Sequence, residues 1–447
     1  MERQSEERPV TVPGTAQQTG AAPKDKELYW LWAKRCVWTD AMLTALKNGV
    51  KGDKWFRLID KVWRKENLLV AWEDVKSNRG AAGVDGQSIE AFGQNAEREL
   101  QQLQEELRHQ RYKPKPVRRT WIEKPGSTEQ RPLGIPCVRD RVIQAGTRNV
   151  IEPIFDRDFC EDSYGFRPWR GAKQAIGRVE ELLSQGHHWV VDADIKGYFD
   201  NIPQDRLMER VKEKIADGRV LELIQQFLKA GVMEQLKGWQ PTEKGTPQGA
   251  VISPLLANIY LNPLDHLMKG KGIAMVRYAD DFVLLCQTEH EAQNALETVR
   301  QWMEENGLTL HPVKTRIIDA QQPGGFDFLG YHFEQGRKWV RKKSLDKIKQ
   351  AVRDLTKRNH GHSMASIIIK INPRLKGWYA YFKQSLPTSF ATVDGFVQRR
   401  LRAILLKRHK KRGIGDKSAN QRWPNSFFEK HGLFSLTTVH VRKCQSP

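Results

Sequence analysis

Cysteine, long apolar runs and targeting signals are scarce or missing in this 447-residue sequence. No apolar run is long enough to span a membrane, and no isolated basic amphipathic segment indicates a surface anchor. The first eight residues have neither the apolar core of a signal peptide nor the acid-poor composition of a transit peptide. These absences favour a protein of a reducing cytoplasm. No spacing typical of a zinc site or a disulfide framework occurs among Cys36, Cys137, Cys160, Cys286 and Cys444.

Acidic residues are outnumbered by basic ones, with 53 Asp and Glu against 74 Lys and Arg. The formal net charge of +21 predicts a polyanionic partner. The length suffices for two or three domains. Residues 1–27 are rich in Gln, Pro, Gly, Thr and charged residues, and we expect a disordered tail there. The pattern of residues 87–110 predicts one polar helix.

Two aspartates occupy the tip of a predicted hairpin. Residues 276–285 place β-branched and apolar residues on both sides of Asp280 and Asp281. Adjacent carboxylates near a core repel one another and resist ionisation, so a hairpin gains nothing from them by itself. A bound divalent cation reverses that balance, since magnesium takes carboxylate oxygens together with waters and substrate phosphates.

A second β-rich stretch, residues 189–194, also ends in carboxylates. Asp192 and Asp194 face the same side of the predicted strand because strand side chains alternate with a period of two. The residue pattern does not choose between them. If one of them meets Asp280 and Asp281, three carboxylates can hold two magnesium ions, about 3.5–4 Å apart, for an in-line displacement at phosphorus.

These acidic segments and several other motifs resemble the reverse transcriptases encoded by group II introns. The resemblance covers most of the sequence and implies a multidomain α/β fold, a right-hand polymerase with fingers, palm and a helical thumb or maturase domain. The implied domains are an N-terminal extension with the start of the fingers (28–110), fingers and palm (111–340), thumb (341–398) and a basic nucleic-acid-binding region (399–447). The motifs are Ser163-Tyr164-Gly165-Phe166-Arg167-Pro168, Asp194-Ile195-Lys196-Gly197-Tyr198-Phe199-Asp200, Pro247-Gln248-Gly249, Tyr278-Ala279-Asp280-Asp281 and Asn372-Pro373-Arg374-Leu375-Lys376-Gly377-Trp378.

The resemblance selects Asp194, rather than Asp192, as the partner of Asp280 and Asp281. It implies that these three aspartates are catalytic and bind two Mg²⁺ ions, with the backbone carbonyl of Ile195 as a further metal ligand. Asp192 is then expected to be structural.

The resemblance also implies a set of substrate contacts. Lys124 and Arg131 are expected to clamp the triphosphate, Phe199 to lie beneath the incoming sugar, and Gln248 to lie near nucleotide and template. Lys314 is expected near the triphosphate or the metal site. An ordinary core position for Phe199 and a surface position for Lys314 are the alternatives.

Two basic segments are candidates for nucleic-acid binding. Arg79 begins a glycine-rich loop that ends at Gly86 and resembles a loop that clamps template RNA, although a plain turn is the alternative. A basic helix near the C-terminus has apolar residues at helical spacing and no acid among its cations, which favours a nucleic-acid surface over a solvated face. Its candidate contacts are Arg399, Arg400, Lys407 and Arg408.

The implied function is RNA-directed DNA synthesis with assistance to intron splicing and mobility. The implied partners are group II intron RNA, an RNA template with a DNA or RNA primer, deoxynucleoside triphosphates and target DNA, and no membrane is expected. The implied location is a bacterial cytoplasm, with nucleoid association when engaged, and no endonuclease domain is expected. A host-adopted reverse transcriptase in defence or repair and a purely RNA-binding splicing cofactor are the alternatives. The oligomeric state stays open.

Overall fold

The computed structural model describes residues 29–123, 130–234, 238–359, 361–409 and 417–445. The chain forms two compact units, one running up to Ile317 and the other from Ile318 onwards. The predicted tail, residues 1–27, and Lys124 lie outside the described residues. None of the helices in the described ranges has the length and apolarity needed to cross a membrane.

The first unit is assembled around one long buried helix, Val138–Asp156. Its buried Asn149 is hydrogen-bonded inside the unit, because Asn149 donates to the side chain of Asn67 at 3.0 Å and Asn67 donates to the carbonyl of Gly146 at 3.0 Å. The helices of this unit are α1 (Asp40–Asn48), α2 (Ile59–Val62), α3 (Lys65–Asn78), α4 (Ile89–Gln94), α5 (Ala96–Arg108), α6 (Val138–Asp156), α7 (Ala172–Ser184), α8 (Tyr198–Asn201), α9 (Gln204–Lys212), α10 (Gly218–Lys229), α11 (Ser253–Gly270) and α12 (Glu289–Glu305).

The single helix predicted over residues 87–110 is wrong. Helices α4 and α5 meet at Asn95, whose φ of −123° and ψ of 24° leave the helical region. Asparagine favours such breaks because its side chain competes with the helical backbone for hydrogen bonds. Helix α4 also has its own N-cap, since the Ser88 hydroxyl accepts from the Ala91 N–H at 3.1 Å.

A four-stranded sheet in the order β6-β7-β3-β8 carries the candidate active site. Strand β7 is buried at each position after Asp281, because helices α7 and α12 pack against it. Both neighbours of β7 run antiparallel to it. The strands are β3 (Trp189–Asp194), β6 (Ala274–Tyr278), β7 (Asp281–Cys286) and β8 (Arg316–Asp319).

A second four-stranded sheet, ordered β2-β1-β4-β5, contains the predicted fingers hairpin. Strands β1 and β2 are antiparallel, and Arg131 of β2 is the register partner of Ile122 of β1. The strands are β1 (Val117–Glu123), β2 (Gln130–Ile135), β4 (Val232–Glu234) and β5 (Gly238–Gln240).

The second unit joins a three-stranded sheet, ordered β11-β10-β9, to a helical core. The Tyr331 hydroxyl donates to the carbonyl of Tyr381 at 2.8 Å, and the Tyr381 hydroxyl donates to the carbonyl of Leu329 at 2.8 Å. These two hydrogen bonds fix the sheet to the helix that contains Tyr381. The elements are β9 (Phe326–Phe328), β10 (Tyr331–Glu334), β11 (Arg337–Val340), α13 (Lys342–Leu355), α14 (Met364–Phe382), α15 (Pro387–Arg408), α16 (Lys417–Arg422), α17 (Asn425–Lys430) and α18 (Leu436–Gln445).

The C-terminal segment belongs to the same helical core. The buried Asp394 carboxylate of α15 accepts from the backbone N–H of Leu436 at 3.0 Å and of Thr437 at 2.9 Å, which caps α18. Phe428 and Leu436 are fully buried. Helix α15 runs without a break across the boundary expected between residues 398 and 399.

Candidate active site

Strand register brings the predicted catalytic carboxylates to one end of the sheet. In the antiparallel ladder of β3 and β7, Asp194 is the register partner of Asp281. Ala279 and Asp280 form the turn that joins β6 to β7. Ala279 has a φ of 61°, in the left-handed region that tight hairpin turns use. Asp194, Asp280 and Asp281 therefore lie beside one another at the same end of the sheet.

Gly165 allows the backbone of a neighbouring loop to press against this turn. A Cβ at Gly165 would lie 2.2 Å from the backbone nitrogen of Ala279, closer than real Cβ atoms come. The Gly165 carbonyl accepts from the Asn258 side-chain amide at 2.8 Å, which fixes the loop to α11. The motif from Ser163 to Pro168 is part of the resemblance, but no pattern in the sequence explains why this position is a glycine.

A buried arginine anchors the turn from beneath, and sequence reasoning gave it no role. Arg277 is 1% exposed, and its Nε donates to Asp265 Oδ1 at 2.7 Å. Its Nη1 donates to Asn258 Oδ1 at 2.8 Å and to the carbonyl of Ala279 at 2.9 Å. The signal available in the sequence was a charged residue in the middle of an apolar strand, which requires a buried partner.

The environment of Asp280 penalises its negative charge. Burial raises the pKa of the Asp280 carboxyl, and the charge of Asp194 raises it further, while Arg131 and Arg277 act in the opposite sense. Adjacent acids in such a place are costly unless a cation balances them. The arrangement therefore has the electrostatic character that a divalent metal site requires.

The donor chemistry of this end of the sheet fits magnesium. In the described ranges, no group of three or more Asp, Glu, His or Cys side chains is close enough together to hold a metal ion by itself. Magnesium does not need such a group, because it is usually held by one or two carboxylates together with waters and substrate phosphates. Asp194, Asp280 and Asp281 are the carboxylates present at this end of the sheet, and Ile195 follows directly after Asp194.

Lys314 lies at the candidate metal site, one of the two places expected for it. Its Nζ donates to Asp194 Oδ2 at 2.8 Å, and its side chain is 59% exposed. The segment before it is held to the catalytic strand, since the His311 N–H donates to the Asp194 carbonyl at 2.7 Å. Asp192 on the same strand face forms an ion pair with Arg316 at 3.4 Å.

Arg131 is exposed on β2, and its charge lowers the pKa of the Asp280 carboxyl. The fingers arginine is therefore within electrostatic range of the palm carboxylates. Its expected companion, Lys124, lies outside the described residues.

Phe199 and Gln248 lie on adjoining backbone segments. The Thr246 N–H donates to the Phe199 carbonyl at 2.8 Å, and a Cβ at Gly245 would lie 2.7 Å from the same oxygen. The Gln248 carbonyl accepts from the Gly134 N–H at 2.7 Å, which ties the loop to β2. The Phe199 side chain is half-buried against the core, so part of the ring stays accessible.

The glycine-rich loop that begins at Arg79 is fixed to the fingers. A Cβ at Gly83 would lie 2.6 Å from the Cα of Cys137, so this contact requires glycine. Arg118 of β1 donates to the carbonyl of Ala82 at 3.0 Å. The Arg79 side chain is exposed at the start of the loop.

The predicted cations of α15 contact their own unit. Arg400 donates to the Thr356 hydroxyl at 3.0 Å and to the Thr356 carbonyl at 2.7 Å, at the C-terminal end of α13. Arg399 lies over the Phe396 ring at 6.0 Å.

The last turn of α15 is similarly engaged. Lys407 donates to the side chain of Asn359 at 2.6 Å, and Arg408 donates to the carbonyl of His362. Both cations are exposed, so these bonds leave them accessible from solvent.

Comparisons with known proteins agree with this architecture. The family model for reverse transcriptase (RNA-dependent DNA polymerase) matches residues 122–333. The model for the group II intron maturase-specific domain matches residues 345–423. The two matches define a reverse transcriptase followed by a maturase domain.

Curated relatives narrow the family. The chain is 34% identical over 322 residues to protein YkfC of Escherichia coli, which covers 63% of this chain and 84% of that protein. It is 39% identical over 213 residues to the group II intron-encoded protein LtrA of Lactococcus lactis, which covers 47% of this chain and 34% of LtrA. The chain thus matches about a third of LtrA. The chain belongs to the family of group II intron-encoded reverse transcriptases.

Proposed function

We propose that this chain is an RNA-directed DNA polymerase encoded by a group II intron, and that it also assists intron splicing and mobility. The observation that carries the polymerase proposal is the register of Asp194 opposite Asp281, with Asp280 in the adjoining turn. The match of residues 345–423 to a maturase-specific domain supports the splicing role.

The three aspartates would bind the metal ions of the proposed reaction. Asp194, Asp280 and Asp281, with the carbonyl of Ile195, would hold two Mg²⁺ ions. When bound, these ions supply the charge that activates a primer 3′-hydroxyl and offsets the pyrophosphate leaving group. Arg277 keeps the turn in place through its bond to the carbonyl of Ala279.

The fingers and palm supply the proposed substrate contacts. Arg131 and Lys124 would offset the triphosphate charge. The guanidinium of Arg131 can form two parallel hydrogen bonds to a phosphate, whereas the ammonium group of Lys124 acts as a point charge. Phe199 would lie beneath the incoming sugar and exclude a ribose 2′-hydroxyl. Gln248 would contact nucleotide or template, and Lys314 would act beside Asp194.

The proposed partners are an RNA template with a DNA or RNA primer, deoxynucleoside triphosphates, group II intron RNA and target DNA. Arg79 would contact template RNA, and the exposed cations of α15 would contact intron RNA. Charge supports such contacts, since the sequence carries a net +21. We place this activity in the bacterial cytoplasm, at the nucleoid when the enzyme is engaged on DNA.

Primer extension by two matched aspartate variants tests the polymerase proposal. Asp194→Asn removes one metal-binding charge at constant size, and we expect it to abolish cDNA synthesis. Asp192→Asn is the control, because it lies on the same strand face but pairs with Arg316. That exposed pair contributes at most about 1 kcal/mol, so extension should persist. Loss of extension in both variants, or in neither, would contradict the assignment of Asp194.

Splicing of the flanking intron RNA by the same preparations tests the second role. Asp194→Asn leaves the cations of the second unit unchanged, so assisted splicing should persist. A folded Asp194→Asn protein that loses splicing together with extension would show that the two activities share this site. Circular dichroism on the same samples establishes that the variants are folded.

A further inference from the structure

An exposed phenylalanine stands on an ordered loop of the first unit. Phe56 is 65% exposed, more than any other aromatic side chain in the described ranges. Phe56 and Arg57 lie between two buried residues, Trp55 at 8% and Leu58 at 1% exposure. Single exposed apolar residues are common on protein surfaces, so exposure alone indicates nothing. The backbone and the charges around Phe56 set it apart.

The backbone on both sides of Phe56 is fixed to the body of the unit. The Trp55 N–H donates to the carbonyl of Lys214 at 2.7 Å, and the Trp55 carbonyl accepts from the Ala216 N–H at 2.9 Å. The Asp217 carboxylate accepts from the N–H of Leu58 at 2.6 Å. The Phe56 ring is therefore presented by a rigid frame and not by a loose loop.

The loop keeps two residues in an unfavourable backbone conformation. Asp53 has a φ of 53° and Arg57 a φ of 52°, in the left-handed region that residues other than glycine rarely adopt. Such strain persists where the surrounding contacts impose it, and it clusters at binding and catalytic sites. The frame around Trp55 and Asp217 supplies those contacts.

Among the described residues, three cations around Phe56 are unpaired, whereas the nearby acids Asp53 and Asp60 are each engaged by other cations. Lys51, Lys54 and Arg57 are exposed, and no ion pair in the described part of the chain involves them. The one acid of the loop, Asp53, is engaged by Arg157 at 2.7 Å and by Lys214. The loop thus presents an aromatic face among three cations whose charge the nearby carboxylate does not offset.

We propose that residues 51–57 bind single-stranded nucleic acid, with one unpaired base stacked on Phe56 and flanking phosphates in contact with Lys51, Lys54 and Arg57. A base stacks on an aromatic ring regardless of its identity, and the phosphates bind the cations. A duplex cannot stack an internal base on Phe56, because its bases are already stacked on one another. The site lies outside the palm motifs, so it stands whether or not the chain polymerises.

Binding to matched oligonucleotides tests this site. The strands are single-stranded RNA and DNA of about ten nucleotides, the same strands with abasic positions, and a duplex. Phe56→Ala should weaken binding to an intact single strand about 5- to 150-fold, the cost of one stacked base. It should leave binding to the abasic strands and to the duplex unchanged. If Phe56→Ala binds only the RNA strand more weakly, the ligand is RNA, and if it binds only the DNA strand more weakly, the ligand is DNA.

Three further variants separate stacking from other effects. Phe56→Trp should restore the affinity, because tryptophan also provides a stacking face. Leu31→Ala, which removes a side chain that is 53% exposed in the same unit, should have no effect. Arg57→Gly removes one cation at a left-handed position that glycine adopts freely, so it should lower the salt slope of binding by about 0.7 without loss of folding.

A strand that carries 5-iodouracil reports the contact directly, since ultraviolet light couples it to a stacked aromatic residue. Mass spectrometry should place the coupled peptide over residues 51–57. The proposal is overturned if no coupling occurs there, or if Phe56→Ala binds intact strands as tightly as the parent protein. The proposal is also overturned if Phe56→Ala loses as much affinity for abasic strands as for intact ones. Primer extension by Phe56→Ala reports on the palm separately.

Discussion

The buried ion pair beneath the hairpin turn allows a quantitative test. Arg277 and Asp265 are 1% and 3% exposed, so Arg277→Met leaves a buried carboxylate without its partner. Loss of one member of a buried pair costs about 3–5 kcal/mol of unfolding free energy. Addition of Asp265→Leu removes the remaining charge, and replacement of both charges by apolar residues is often neutral. The double variant should therefore recover most of the stability lost in Arg277→Met.

Urea denaturation of the wild type, both single variants and the double variant measures this coupling. The double variant should fold but extend primers more slowly, because the carbonyl of Ala279 loses its donor at 2.9 Å. A double variant no more stable than Arg277→Met would refute the assigned electrostatic cost. Full polymerase activity in a folded double variant would refute the claim that Arg277 positions the turn.

Two further variants test other contacts of the first unit. Gly165→Ala places a methyl group 2.2 Å from the nitrogen of Ala279 and should reduce primer extension about 100-fold by shifting the turn. Gly177→Ala in α7 is its control, with no described atom within 4 Å of the added methyl, and should stabilise the helix by about 0.5–1 kcal/mol. Burial raises the pKa of Glu152 from 4.5 to about 7, so the fold favours its neutral form and wild-type stability should fall as pH rises through that window. Burial also raises the pKa of Asp140, to about 6, so Glu152→Gln should reduce this fall rather than remove it, by at most about 3.4 kcal/mol in urea denaturation on either side of the window.

The two acidic strand ends could be predicted because their signal is local. The alternation of side chains along β3 and the acidic turn between β6 and β7 are both visible in short stretches of sequence. The register of β3 and β7 then pairs Asp194 with Asp281. The choice between Asp192 and Asp194 needed the family resemblance, because both face the same way. The structure adds a physical difference, since Asp192 is paired with Arg316 at 3.4 Å.

The supports of the turn could not be predicted, because they come from other elements of the chain. Gly165 lies more than a hundred residues before the turn that it contacts, and Asp265 lies in a helix. A buried arginine in a strand signals that some partner exists, but no periodicity identifies that partner. The break at Asn95 has a local signal that the prediction of one helix overlooked, since Gly93 and Asn95 are both unfavourable inside a helix.

The basic helix α15 shows where helical periodicity stops being informative about function. Spacing separates the buried Leu401 and Ile404 from the cations, and the structure agrees. Spacing does not tell which cations bind their own chain, and Arg400 donates twice to Thr356 at the end of α13. Replacement of Arg400 would therefore disturb the packing of the unit as well as any RNA contact. Arg399 lies over the Phe396 ring instead, so its replacement separates RNA affinity from folding more cleanly.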